Sequence, residues 1–318
     1  MITYDDILEA RRRIEPYVVR TPLLRLEGLD GALGCQVFVK AECMQRTGAF
    51  KLRGAMNKLL SMTKEQRANG VVAASSGNHG RAVAYGAKML GCRATIVIPN
   101  SAPRIKVEAI KALGAEVVMC ETPKRFDVAQ EICDRRKAAI LPPFNDELVM
   151  AGQGTAGLEI LEQQPDLDAV VVPVSGGGLI SGVSTAIKAA SDHIKVCGAE
   201  PAALPRYTAS LAAGKPVKVE QKPTVADALV TQIPGDICFP CVAKNVDEIA
   251  DVEDEFILKA TRLLLADGKV LAEPSSCIGI GAVMQGALRF EKERKVCFVL
   301  SGGNVGLDQL QKIISSAS

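Results

Sequence analysis

No apolar run in this sequence of 318 residues is long enough to span a bilayer, and Met1-Ile2-Thr3-Tyr4-Asp5-Asp6 has neither the basic nor the apolar region of a signal peptide. A cytoplasmic protein is expected. Charge of one sign is lacking too: 38 lysines and arginines stand against 36 acids, a net of +2 with the signs mixed along the chain. That leaves no electrostatic footprint for nucleic acid and no basic amphipathic segment for a membrane. Histidine is scarce, at two residues, and the one Cys-x-x-Cys, Cys238 to Cys241, has no second pair and no nearby histidine. No zinc site is expected from it. The ten cysteines read as reduced thiols, several in apolar strand-like runs (Cys120, Cys197, Cys297) where cysteine packs as a small hydrophobe. Low-complexity linkers and internal repeats are absent.

What is present is the composition of an ordinary globular protein, 48% hydrophobic and 23% charged with 28 glycines, long enough for about two domains. After an amphipathic helix over residues 4–16, broken at Arg20-Thr21-Pro22-Leu23, strand-like and helical patterns alternate. The apolar runs are 71–74, 94–98, 116–119, 170–174, 196–199 and 296–300, each bounded by glycine, proline or serine and separated by intervals that suit helices. Repeated βα units of this kind give an α/β fold with a mostly parallel sheet. Residues 71–140 hold three such units close together, enough for a smaller sheet of their own, with a second sheet made by what precedes and follows.

Three glycine-bearing turns follow apolar strands and precede helical patterns, the place where open α/β sheets bind ligands. In Ser75-Ser76-Gly77-Asn78-His79-Gly80, free N–H groups and the positive end of the helix suit a carboxylate; a plain N-cap is the alternative for Ser76. Ser175-Gly176-Gly177-Gly178-Leu179 lacks the lysine of a nucleotide P-loop and the spacing of a dinucleotide fingerprint, so it reads as a cradle for a single phosphate or as a tight structural turn. Ser301-Gly302-Gly303-Asn304 ends the last strand with a hydroxyl able to meet a ring nitrogen. Lys51, in Thr47 to Ala55, stands between a strand-like run (Val37 to Lys40) and a helical pattern (Ala55 to Leu60). There it is either a solvated surface amine or a desolvated one whose lowered pKa makes it a nucleophile for a cofactor aldehyde.

Taken together, Thr21-Pro22-Leu23, Gly48 to Ala55, Ser75 to Gly80, Ala151 to Thr155, Ser175 to Leu179, Glu273-Pro274 and Ser301 to Asn304 resemble the pyridoxal-phosphate enzymes of the tryptophan-synthase-β-like fold (fold type II), specifically the serine/threonine dehydratase and serine racemase family. The resemblance covers nearly the whole chain in order. It implies two open, twisted, mostly parallel sheets flanked by helices. Residues 1–67 and 147–318 would form a large cofactor-binding domain and residues 68–146 a small substrate-binding one. It also implies pyridoxal 5'-phosphate as cofactor, an amino-acid substrate and a homodimer; no metal is expected, because the chain departs from the family at Arg206. Lys51 would hold the cofactor as a Schiff base and Phe50 would stack on its ring. Asn78 would bond the phenolic oxygen, Gly176, Gly177, Gly178 and Leu179 the phosphate, and Ser301 would face the ring nitrogen. Ser75, Ser76, Asn78 and His79 would take the substrate carboxylate.

The activity so implied is dehydration and deamination of a β-hydroxy amino acid such as L-serine or L-threonine to a 2-keto acid and ammonia, with Lys51 removing the Cα proton. The alternative is racemisation, for which Ser76 would be the second base on the opposite face. Pro142-Pro143-Phe144-Asn145 looks more like the dehydratases. A cysteine-synthase-like replacement and a non-catalytic binding protein are the remaining readings. Three departures stand out. Members with a divalent-cation site carry a glutamate and, six residues on, an acid; here Glu200 is followed by Arg206, which is expected to stand in for the cation. Ala228 replaces a glycine beside the ring, and Ala49 replaces a serine near the phosphate.

Overall fold

The structure, a computed structural model, describes residues 1–75, 77–102 and 104–315. Strands among them are β1 Leu23–Arg25, β2 Gln36–Lys40, β3 Val71–Ala74, β4 Ala94–Pro99, β5 Glu116–Cys120, β6 Ala139–Ile140, β7 Ala169–Pro173, β8 Lys195–Pro201, β9 Glu248–Val252 and β10 Lys295–Val299. They make a six-stranded sheet, β1-β2-β10-β7-β8-β9, and a four-stranded sheet, β5-β4-β3-β6. Every pairing is parallel except that of β1 with β2. The chain enters the larger sheet with β1 and β2, leaves it to make the whole of the smaller one, and returns with β7. All five residues of β7 are buried, because helices cover both faces of the sheet and no alternation is needed. β5 is an edge strand, and Glu116 on it is paired with Arg136, a charge that discourages edge-to-edge association.

Two helices fix the frame around Lys51. The first helix, Tyr4–Ile14, opens on a capping box between Thr3 and Asp6 and carries three arginines in its last turn, matching the helix dipole at both ends. The second, Lys51–Ser61, begins at Lys51 and not at Ala55. Gly54 lies inside it because a Cβ there would stand 2.7 Å from the Val149 carbonyl oxygen, and one at Gly152 would stand 2.6 Å from that of Arg53. The Lys51–Ser61 and Glu147–Gln163 helices therefore meet backbone to backbone.

A buried set of four charges ties the same helix down. The Arg53 guanidinium bonds Glu42 through Nε (2.8 Å) and Glu159 through Nη1 (2.7 Å), and Lys40 Nζ reaches Glu159 at 2.6 Å. Arg53, Lys40 and Glu42 are fully buried. Two cations and two anions cancel, and the fork of Arg53 spans both carboxylates, which is what makes charge tolerable in a core. Among the described residues no helix is long and apolar enough to cross a membrane.

Candidate active site

The loop ahead of Lys51 is laced to the end of β10. Phe50 N–H donates to the Ser301 carbonyl (3.0 Å), Gly303 N–H donates to that of Gly48 (2.9 Å), and Ala49 bridges Gly302. Residues far apart in the chain are joined in this way, and Lys51 is set at the first position of its helix. Its amine lies 4.9 Å from the Phe50 ring centroid and donates to the Pro143 carbonyl at 2.7 Å, so the Pro142 to Asn145 loop forms one wall of the site. Burial pushes the Lys51 amine down to about 8, since the charged form loses its hydration there.

The glycine turn lies on the far side of that loop. Gly177 has φ 100°, and a Cβ on it would come within 1.8 Å of the Tyr207 hydroxyl, which donates to the Gly176 carbonyl at 3.1 Å. A Cβ on Gly176 would meet the Phe144 ring at 2.5 Å. Only glycine fits the turn, and the amides of Gly176, Gly177, Gly178 and Leu179 donate to no acceptor among the described residues. Gln153 adds to this: it is fully buried, its amide nitrogen and oxygen have no partner, and its oxygen lies 2.9 Å from where a Gly178 Cβ would be. Four open amides, a helix start and an unpaired amide side chain make a concavity that suits a small anion.

On the smaller sheet, the helix Asn78–Met89 begins after β3 with Gly77 as its N-cap and no side-chain cap. Ser75 Oγ accepts from Gly77 N–H at 3.3 Å. Ser76 lies outside the described residues. The His79 imidazole is buried and its Nε2 bonds the Leu141 carbonyl at 2.8 Å. Burial and the nearby Lys51 amine lower its pKa to about 3, so the ring is neutral, with Nε2–H used and Nδ1 left as an acceptor. A carboxylate at this helix start would meet the His79 backbone N–H, not its ring. Asn78 Nδ2 donates to Glu273 Oε1 at 2.7 Å, and burial raises the Glu273 carboxyl to about 7.

Ser301 Oγ lies 3.0 Å from Ser276 Oγ, which in turn donates to the Gly302 carbonyl and accepts the Gly302 N–H, both at 2.7 Å. The Ser301 hydroxyl is thus backed by a neutral group, and among the described residues no carboxylate bonds it. Ala228 is exposed on a segment tied by its N–H to Ser275 Oγ at 3.0 Å, and Ala49 is fully buried in its bridge. Ser276, Tyr207 and Gln153 were not singled out from sequence. Gln153 lies within Ala151 to Thr155, but a buried glutamine has no distinctive pattern of its own.

Arg206 is fully buried. Its Nη1 and Nη2 each donate at 3.0 Å, to the carbonyls of Val174 and Leu229, and Nε is 3.8 Å from the Glu200 carboxylate. Glu200 also accepts the N–H groups of Tyr207 and Thr208 at the start of the Arg206–Ala213 helix. Burial pushes its carboxyl up to about 7, against the pull of those amides and the guanidinium. A cation is therefore built into a site of two carbonyls and a carboxylate, just before the glycine turn. No cluster of three or more histidine, cysteine, aspartate or glutamate side chains is placed to hold a metal among the described residues.

Comparison with known proteins places this geometry. The family described as "Pyridoxal-phosphate dependent enzyme" matches residues 14–302. An L-threonine ammonia-lyase of Thermotoga maritima is 43% identical over 99% of this chain and 79% of its own length. An L-threo-3-hydroxyaspartate ammonia-lyase of Saccharomyces cerevisiae is 40% identical over 98% of this chain and 96% of its own length. The solved structure of maize serine racemase superposes with a TM-score of 0.93 at 39% identity, covering 98% of this chain and 97% of that one.

Proposed function

From the premise that the chain belongs to the pyridoxal-phosphate-dependent enzymes of fold type II, we propose that it dehydrates and deaminates a β-hydroxy amino acid, such as L-serine or L-threonine, to a 2-keto acid and ammonia. The cofactor is pyridoxal 5'-phosphate, and the residues fit it: the open amides of the glycine turn beside the unpaired Gln153 suit its phosphate, and the desolvated Lys51 amine its aldehyde. Bound, the cofactor supplies an electron sink for the charge left when a Cα proton is removed. Lys51 is the covalent tether and then the base for that proton. Gly176, Gly177, Gly178 and Leu179 hold the phosphate, Phe50 packs on the ring and Asn78 bonds the phenolic oxygen. Ser75, Ser76, Asn78 and His79, at the mouth of their helix, take the substrate carboxylate. Residues 68–146 are the substrate-binding unit and 1–67 with 147–318 the cofactor-binding one, in a cytoplasmic homodimer.

The observation that carries elimination over other outcomes is Ser301, a neutral hydroxyl backed by the neutral Ser276. A ring nitrogen facing this hydroxyl, once the hydroxyl turned from Ser276 to donate to it, would stay unprotonated and be a weaker sink, which would favour quick loss of a β-leaving group. The test is incubation of the holoenzyme with a panel of β-hydroxy amino acids, scoring keto acid and enantiomer together. Keto acid from serine or threonine is the expected result; enantiomer alone would make the protein a racemase. In that case Ser76→Ala should abolish D-product, by the roughly 10²–10⁴-fold that a proton-transfer group contributes. If Ser76 only caps the turn, the variant keeps the D-product.

Arg206 leads to a second expected result. With a guanidinium bonded to the Val174 and Leu229 carbonyls beside Glu200, a divalent ion would have to displace it to bind there. Turnover should be unchanged by a chelator and unimproved by magnesium. Recovery of a chelated sample by magnesium would show that the guanidinium is not filling the site.

A further inference from the structure

Asn78 carries two N–H donors and one carbonyl oxygen, and an amide of this shape can be turned over without changing its outline. Here two of its three groups are committed. Oδ1 accepts from Asn304 Nδ2 at 2.7 Å, and one N–H donates to Glu273 Oε1 at 2.7 Å. One N–H remains. Turned over, the amide would set its oxygen against the Glu273 carboxyl oxygen and its nitrogen against the Asn304 nitrogen.

Asn304 faces the same choice and is fixed from outside. Its Oδ1 accepts from Arg81 Nη1 at 2.7 Å, and its Nδ2 also reaches the Thr47 carbonyl at 2.9 Å. A guanidinium has donors only and does not lose its proton, so Arg81 can meet only the oxygen of Asn304. The direction is then passed on: the Asn304 nitrogen must face Asn78, the Asn78 oxygen must face Asn304, and the Asn78 nitrogen must face Glu273. Arg81 stands three residues after Asn78 on the same helix and so lies over the same face.

We propose that Arg81, Asn304 and Glu273 are positioning residues that fix the polarity of Asn78, so that it offers the cofactor's phenolic oxygen a hydrogen-bond donor and never an acceptor. The inference rests on the reading of Asn78 as the contact to that oxygen. A donor there favours the ionised phenolic group; an amide free to turn would present its oxygen part of the time and repel it.

Arg81→Gln and Arg81→Lys separate polarity from packing. Glutamine keeps reach and hydrogen bonding but can meet Asn304 with either a donor or an acceptor, whereas lysine, like arginine, has donors only. Apoenzyme of each variant is titrated with pyridoxal phosphate, and the pH midpoint of the bound cofactor's visible absorbance is measured. Lys51, Glu273, Asp227 and Lys106, the other charged groups at this corner, are the same in both variants. Asn304→Leu, which keeps the Arg81 charge but cuts the link to Asn78, should move the midpoint as Arg81→Gln does. No shift in Asn304→Leu would assign the Arg81→Gln effect to lost charge and overturn the proposal. The parent and Arg81→Lys should agree within about threefold in affinity, while Arg81→Gln binds about tenfold more weakly, the loss of roughly one hydrogen bond. Its absorbance midpoint should move to higher pH by about one unit, the same tenfold expressed as a pKa. Equal behaviour of the two variants overturns the proposal. Asn78→Leu is the separate control: if it leaves the midpoint in place, the contact itself is misassigned; if it moves the midpoint and Arg81→Gln does not, the contact stands and only the relay is wrong.

Discussion

Lys51→Ala is expected to be folded, colourless after dialysis and inactive, with turnover down by at least ~10³-fold, because one amine serves as both covalent tether and base. The variant should still take up cofactor through the open amides of the glycine turn, and lose it again on dialysis. The reason to assign both roles to this amine is its environment. It is held by the Pro143 carbonyl beside the Phe50 ring, and burial sets its pKa at about 8. An ordinary lysine, with pKa near 10.4, is almost wholly charged at pH 8, whereas this one is about half neutral. Since only the neutral amine attacks an aldehyde, capture of pyridoxal phosphate by apoenzyme should speed up with pH and level off above pH 8. A rate still climbing at pH 10 would mean an ordinary solvated lysine. Retention of covalent cofactor by Lys51→Ala would mean that another amine is the tether.

The second large effect is on stability. Arg53→Met should cost about 3–5 kcal/mol, the loss seen when one partner of a buried ion pair is removed, and that is a large part of the ~5–15 kcal/mol that holds a protein together. It leaves Glu42 and Glu159 facing each other across the space of the guanidinium, with only Lys40 to offset them. In the parent, burial raises the Glu42 pKa but Arg53 overrides it and brings it below the usual value. That contribution is present above the unfolded pKa, near 4.3, and is lost as pH falls through the folded one. In Arg53→Met the sign reverses: unpaired buried carboxyls have raised pKa values, so the variant gains stability as pH falls. The deficit in urea midpoint should therefore narrow from pH 8 to pH 5. A deficit that is constant over that range would show that the loss is one of packing and not of charge.

The βα alternation, the three glycine turns and the family resemblance were all legible in the sequence, because each is written locally in a run of a few residues. Other features were not. The helical pattern reads from Ala55, whereas the helix begins at Lys51 and runs through Gly54, where a Cβ would meet the Val149 carbonyl of another helix. β6, two residues long, is too short to leave a pattern, and β1 is recognisable only by its pairing with β2. The Ser276 hydroxyl behind Ser301, the Arg81 contact to Asn304 and the Tyr207 hydroxyl beneath Gly177 join residues far apart in the chain. No local pattern marks such pairs. For His79 the sequence placed the residue at the right helix start, and the fold turned its ring toward Leu141.

The larger sheet is closed by its last strand. β10 lies between β2 and β7, with Val296 beside Val37 on one edge and Ala169 on the other. On a ribosome adding about 5–20 residues per second, β2 then waits on the order of ten to fifty seconds for its neighbour, with Val37, Phe38 and Val39 still unburied. The smaller sheet, contiguous from β3 to β6, has no such wait. The early strands of the larger one are therefore the strands that wait longest for a neighbour during synthesis.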